Sequence, residues 1–164
     1  MQIDHLDHHW AKDQDPKALG KMATEIHAGL HQAFQGDLSW TAEAIATSLA
    51  NPYHHFFIMR DPANLAVVGV AHFQLIFDDV ELFNIAILPA YRRQGLSQHL
   101  IEEALTYFAK NEGKIVTLEV RSRNHAARQL YEKLAFKQIA SRPDYYTVDL
   151  DDAIIYQRIL DNNN

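Results

Sequence analysis

Residues 54–88 carry three runs rich in β-branched and aromatic side chains: HHFFIMR at 54–60, LAVVGVAHFQLIF at 65–77 and VELFNIAIL at 80–88. Only short stretches of turn-forming residues separate them, Asp61-Pro62-Ala63-Asn64 and Asp78-Asp79, so each run must fold back on the last. This block predicts an antiparallel meander whose third strand runs into Pro89 and then a glycine-bearing turn. Gly69 inside the second run marks a candidate bulge.

The flanking segments change period. Across residues 16–34, Leu19, Met22, Ile26, Leu30 and Phe34 recur at three- and four-residue steps, one face of a helix. A shorter helix is expected at 41–49, stopped ahead of Asn51-Pro52. After Gly95, the residues Leu96, Leu100, Ile101, Ala104, Leu105 and Phe108 form a helical stripe that ends at Asn111 to Gly113. KIVTLEV at 114–120 reads as a strand, and Asn124 suits the N-cap of a helix carrying Ala127, Leu130, Tyr131 and Leu134 on one face. FKQIAS at 136–141 and AIIYQRIL at 153–160 read as closing strands. The order is strand, two helices, three strands, helix, strand, helix, two strands. It predicts a mixed α/β layer with helices on both sides of one sheet, and 164 residues suit a single domain spanning 1–164.

A net charge of −6 argues against a nucleic-acid module, which carries a basic footprint. The absence of cysteine excludes disulfides, zinc–thiolate sites and a thiol nucleophile, and fits a reducing compartment. The segment MQIDHLDHHW lacks a hydrophobic signal core, and no apolar run approaches the roughly 20 residues that span a bilayer, so a cytoplasmic protein with no membrane partner is expected. Of the ten histidines, His8-His9, His54-His55 and the pair His27 and His31 invite a metal reading, but no HExxH arrangement or cysteine accompanies them. Scattered surface or core histidines, with no metal, are expected.

The stretch LPAYRRQGLSQHLIEEAL at 88–105 sends a strand through a turn into a helix. A helix start offers unpaired N–H groups and the positive end of the helix dipole, Arg92 and Arg93 add charge, and Gly95 permits close backbone approach. A diphosphate is the natural guest. On spacing alone, a solvated turn that merely starts a helix accounts for these residues equally well.

The segment RRQGLS at 92–97 resembles the acetyl-CoA signature of the GNAT acetyltransferases, Q/R-x-x-G-x-G/A, with Arg92 first, Gly95 as the first glycine and Ser97 where Gly or Ala is usual. LFNIAILPAYRRQGL, TLEVRSRNHAARQLYEKLAF and YYTVDLDDAIIY together resemble the RimI-type branch, which acetylates the N-terminal amine of a ribosomal protein; the likeness covers roughly residues 80–160. It implies a GNAT fold, with a mostly antiparallel sheet, splayed parallel strands and helices on both faces, and direct acetyl transfer from acetyl-CoA to an α-amine. It further implies that the backbone of Ile85, Ala86 and Ile87 pairs with the pantetheine arm and that the amides of Arg93, Gln94, Gly95, Leu96, Ser97 and Gln98 hold the pyrophosphate. By the same resemblance Glu119 is the base, Tyr131 the acid, and Asn124 a further contact to the cofactor. Ala135 replaces the glycine usual in the family's LGF segment.

The residues carry plainer readings as well. Glu119 alternates with Leu118 and Val120 on a strand, so its carboxylate faces either solvent or a cleft. Tyr131 on an apolar helix face is ordinary core packing, and Asn124 an ordinary N-cap. A phenol of pKa about 10 lies above a thiol of about 8.5, so hydrogen-bond stabilisation of a departing thiolate stands beside full proton transfer. An α-amine of pKa about 7.7–8.0 is roughly 3 kcal/mol easier to free near neutrality than a lysine at about 10.4, which favours an N-terminal acceptor. RPDYYTVDLDDA at 142–153 is expected to form a loop over the acceptor groove, with Tyr145 and Tyr146 as aromatic walls and Asp149, Asp151 and Asp152 drawing a positive N-terminus. A small-molecule amine or lysine acceptor, and a non-catalytic acyl-CoA-binding module, are the other readings; monomer and homodimer both stay open.

Overall fold

The computed structural model describes residues 1–34, 40–148 and 150–160. Its strands are β1 (Gln2–Leu6), β2 (His54–Arg60), β3 (Val67–Ile76), β4 (Asp79–Ile87), β5 (Ile115–Arg121), β6 (Lys137–Tyr146) and β7 (Asp151–Ile159). Its helices are α1 (His8–Lys12), α2 (Pro16–Ala33), α3 (Ala42–Leu49), α4 (Leu96–Lys110) and α5 (His125–Lys133). The strands form one sheet in the order β1-β2-β3-β4-β5-β7-β6. The expected β2-β3-β4 meander is antiparallel throughout, and β4 with β5 is the parallel pair among the described residues.

Alternation along the central strands feeds two cores. On one face Phe56, Ile58 and Val70 meet Ile26 and Leu30 of α2 and Ile45 and Leu49 of α3. On the other, Phe57, Met59 and Phe73 meet Leu100, Ile101, Ala104 and Phe108 of α4, with Tyr131 and Leu134 completing the layer. Both faces of β2 are therefore buried, which is why HHFFIMR reads as a continuous apolar run rather than an alternating one.

Three readings are corrected. The short helix α1, capped by Asp7, adds to the two helices expected before the meander. The bulge predicted at Gly69 falls beside it, since Met59 pairs with Gly69 and Arg60 with Val67, leaving Val68 as the extra residue. Gly69 answers to a different demand: a Cβ there would lie 2.6 Å from Ile87 Cδ1. The predicted loop over 142–153 is mostly strand, because β6 continues to Tyr146 and β7 begins at Asp151. Register shifts within β6 absorb Arg142-Pro143-Asp144 without ending the pairing.

The ends of two helices depend on left-handed residues that are not glycine. At the end of α4, Glu112 takes φ 70, while Gly113 lies where a Cβ would come within 2.9 Å of Phe108 Cβ. After α5, Ala135 has φ 61; its N–H bonds the Glu132 carbonyl and the Phe136 N–H bonds the Tyr131 carbonyl, which together form a Schellman closure. An alanine in this conformation is strained by about 1–2 kcal/mol, partly offset by its lower entropy in the unfolded chain. Ala135→Gly is therefore expected to stabilise the protein by about 1 kcal/mol, raising Tm by roughly 2–4 °C in a thermal melt.

Two buried histidines link stability to acid. Burial pushes His55 down to about 4 and His72 down to about 3, in each case reinforced by neighbouring histidines. A folded pKa below the unfolded value of about 6.5 means that the unfolded chain binds more protons below that pH. Stability is complete above about 6.5 and falls as pH drops toward 4 and below. Melting temperatures measured from pH 7.5 down to 4.5 are expected to decline steadily, with the decline reduced in His72→Phe.

Candidate active site

β4 and β5 pair only from Asp79↔Ile115 to Leu82↔Leu118. Beyond that point β4 bulges: His72 on β3 pairs with Asn84 and Phe73 with Leu82, so Phe83 is extra. The bulge re-aims β4, and the two strands part. A cleft of about 810 Å³ opens between them, lined by Phe83 to Ile87 on one side, Glu119 to Arg121 on the other, the turn before α4, and the Asn124, Ala127 and Tyr131 side of α5.

The turn at the floor of the cleft has unusual backbone. Arg93 takes φ 64 and Gly95 φ 76. Helices α1, α2, α3 and α5 begin with a side-chain cap, from Asp7, Asp15, Thr41 and Asn124, whereas α4 begins at Gly95 with no side-chain cap. Its first intrahelical bond runs from the His99 N–H to the Gly95 carbonyl at 3.1 Å, so the amides of Leu96, Ser97 and Gln98 precede the helical ladder. A Cβ on Gly95 would meet nothing within 4 Å, so the space beside the turn is open. These donors suit an anion.

The other predicted residues are placed as follows. Ile85, Ala86 and Ile87 pair with Ala71, Val70 and Gly69 of β3, and their opposite edge borders the cleft. Arg92 also borders it, but its guanidinium is engaged: Nε donates to the Ile87 carbonyl at 3.0 Å and Nη2 to the Ala33 carbonyl at 2.6 Å. Its charge closes the last turn of α2 and ties that helix to β4, rather than reaching freely toward a phosphate. Gln98 is likewise occupied, donating to Glu102 and accepting from Lys133. Asn124 does cap α5, its side-chain oxygen accepting from the Ala127 N–H at 3.2 Å, and it also lines the cleft.

Glu119 borders the cleft, where its side chain is partly exposed. Its Oε1 lies 2.7 Å from Nη1 of Arg142, a residue that sequence inspection passed over. No local pattern announces that pair, because it spans β5 to β6 across β7 and a register shift. Tyr131 is buried, packs against Phe136 and Tyr156, and reaches the cleft wall. Desolvation pushes its phenol up to about 12. Tyr146 lines the cleft with the Arg121 guanidinium 4.0 Å from its ring centroid, while Tyr145 lies outside the lining and packs edge-on against Tyr146. Asp151 is not free to attract a ligand: it is buried and accepts from Ser122 Oγ at 2.6 Å. Asp152 accepts from the Asp144 N–H, and Asp149 lies outside the described residues.

The histidines are less scattered than their spacing suggests. His5, Asp7 and His55 bring ligand atoms within 4.8 Å of one another, with His5 Nε2 meeting His55 Nδ1 in a 3.1 Å hydrogen bond. A second hollow, of about 900 Å³ beneath α2, holds Arg60, which Asp4 and Glu25 already pair. Neither lies beside the open amides of the turn.

The acetyltransferase (GNAT) family model matches residues 10–136. The chain belongs to the GNAT acetyltransferase family. Its relatives include the ribosomal protein bS18-alanine N-acetyltransferase of Escherichia coli K12, 36% identical over 118 residues that cover 71% of this chain and 78% of that protein. The N-alpha-acetyltransferase RimI of Mycobacterium tuberculosis is 34% identical over 157 residues, covering 89% of this chain and 94% of that one. The crystal structure of the Escherichia coli ribosomal-protein-S18-alanine N-acetyltransferase superposes with a TM-score of 0.72 at 27% identity, covering 99% of this chain and 97% of that one. This GNAT protein is an acetyltransferase, and its family takes the acetyl group from acetyl-CoA. No helix among the described residues is long and apolar enough to cross a membrane.

Proposed function

We propose that this acetyltransferase moves the acetyl group of acetyl-CoA directly to the N-terminal α-amine of a protein, a ribosomal protein being the best-supported acceptor. The observation that carries the reading is the cleft itself: uncapped amides at one end and Glu119 with Tyr131 at the other, joined by the open edge of β4. The diphosphate sits on the amides from Arg93 to Gln98, and the pantetheine arm runs along Ile85 and Ala86 as an added strand would. Since Arg92 already takes the Ile87 carbonyl, that group contributes less to the arm.

At the mouth, the amine lone pair forms the C–N bond to the thioester carbonyl as the C–S bond breaks. Glu119 accepts the proton leaving nitrogen, directly or through one water, and the thiolate is stabilised by Tyr131. A phenol held near 12 is a poor proton donor to a thiol-range leaving group, so Tyr131 acts mainly as a hydrogen-bond donor. Tyr131→Phe is expected to lower kcat by about tenfold to a hundredfold while leaving CoA affinity unchanged, measured by steady-state kinetics beside calorimetry.

The relatives acting on bS18-alanine support an N-terminal acceptor, as does the lower pKa of an α-amine. The test is mass spectrometry of a ribosomal-protein N-terminal peptide beginning with alanine, incubated with enzyme and acetyl-CoA. A gain of one acetyl group on the α-amine is expected. Acetylation confined to lysine side chains or small amines would overturn the acceptor, and no transfer to any amine despite CoA binding would leave only an acyl-CoA-binding module.

A further inference from the structure

Glu119 is surrounded by charge from several elements. On β4, Glu81 lies beside Thr117 in the parallel pair, two residues before Glu119 and on the same face. On β5, Arg121 follows two residues later; on β6, Arg142 forms the 2.7 Å ion pair and Tyr146 borders the same cleft; on β7, the partner is the apolar Ile155. Two carboxylates thus share one stretch of sheet, and Arg142 bonds one of them.

We infer that Arg142 is a positioning residue for the transfer step: its guanidinium holds the Glu119 carboxylate through Oε1 and so fixes its orientation toward the acceptor amine. This rests on the reading of Glu119 as the base. Glu81 on the neighbouring strand repels the Glu119 carboxylate, and a cation bonded to Glu119 holds it in place against that repulsion. Glu119 lines the cleft while Arg142 does not, so the arginine bonds the base from outside the cleft lining. The geometry also places Arg142 near Tyr145, with the guanidinium 5.5 Å from the ring centroid, so β6 presents the cation from an edge held by its own side chains.

A carboxylate held in one orientation meets the amine in every turnover; one that swings between rotamers does so in only part of them. The loss on removing Arg142 must therefore fall on kcat and be recovered by another cation at the same position, which a purely structural role for Arg142 would not produce.

The experiment measures kcat, the KM for acetyl-CoA and Tm for the wild type, Arg142→Gln and Arg142→Lys, with acetyl-CoA and an alanine-terminated peptide. Arg142→Gln is expected to lose about tenfold in kcat, with the KM for acetyl-CoA within about twofold of wild type. Arg142→Lys should recover most of that loss. An unchanged kcat, or a loss that Arg142→Lys does not recover, overturns the inference. Glu119→Gln run alongside separates the two levels: full activity in that variant removes the base itself, whereas activity that depends on Glu119 but not on a cation at position 142 removes only the role of Arg142.

Discussion

Replacing Glu119 by Gln is expected to lower kcat by about a hundredfold to ten-thousandfold while leaving the affinity for CoA within about twofold of wild type. The amide is nearly isosteric with the carboxylate and keeps a polar atom toward Arg142, so the cleft retains its shape; what disappears is the ability to take a proton from the acceptor. The loss should narrow above about pH 9, where an α-amine of pKa about 7.7–8.0 arrives already deprotonated. Steady-state kinetics across pH, paired with calorimetric CoA binding, separates this from a folding defect. Turnover within about twofold of wild type would mean that the proton leaves by another route.

The second large effect is expected at the other end of the cleft. Ser97→Asp places a carboxylate in the first turn of α4, where a negative charge favours the helix by about 0.3–1 kcal/mol. The fold should therefore be as stable as wild type or slightly more so. A diphosphate seated on the same amides would meet that carboxylate at close range, and two unit charges about 4 Å apart repel by about 4 kcal/mol at an effective dielectric of 20. Allowing for screening, the KM for acetyl-CoA should rise by about a hundredfold or more with Tm unchanged or higher. The opposed signs make the substitution informative: stability and binding move apart only if the helix start is the anion site. A Ser97→Asp protein that melts normally and keeps its KM would move the diphosphate elsewhere.

What could be read from the residues follows the range of the interaction that fixes them. The meander and α2, α4 and α5 repeat at their own structural period, so residues a few positions apart define the buried face, as Leu100, Ile101, Ala104 and Phe108 do in α4. The passage from strand through a glycine turn into α4 was legible for the same reason: its parts are contiguous. The length of β6 was not, because Arg142-Pro143-Asp144 reads locally as a turn, while pairing with β7 and the register shifts that accommodate it are set at a distance. Left-handed backbone at Arg93 and Glu112 was hidden too, since neither is the glycine that normally marks it, whereas at Ala135 the glycine usual in the family had pointed to the position. The ion pair between Glu119 and Arg142 joins residues far apart in the chain, and the engagement of Arg92 with the Ala33 carbonyl depends on how α2 packs beside β4. Strand alternation alone left Glu119 either outward or inward; the splay begun by the Phe83 bulge decides it.

Every role proposed for this site requires that the gap between β4 and β5 receive acetyl-CoA, gripped by main-chain amides at the start of α4. Hydrogen–deuterium exchange of the protein, followed by peptide with and without saturating CoA, tests this most directly. Slower exchange is expected in peptides containing residues 93–98 and 84–87, with β1 and α3 unaffected. Unchanged exchange at 93–98 under saturating CoA, or protection centred on another part of the fold, would contradict it.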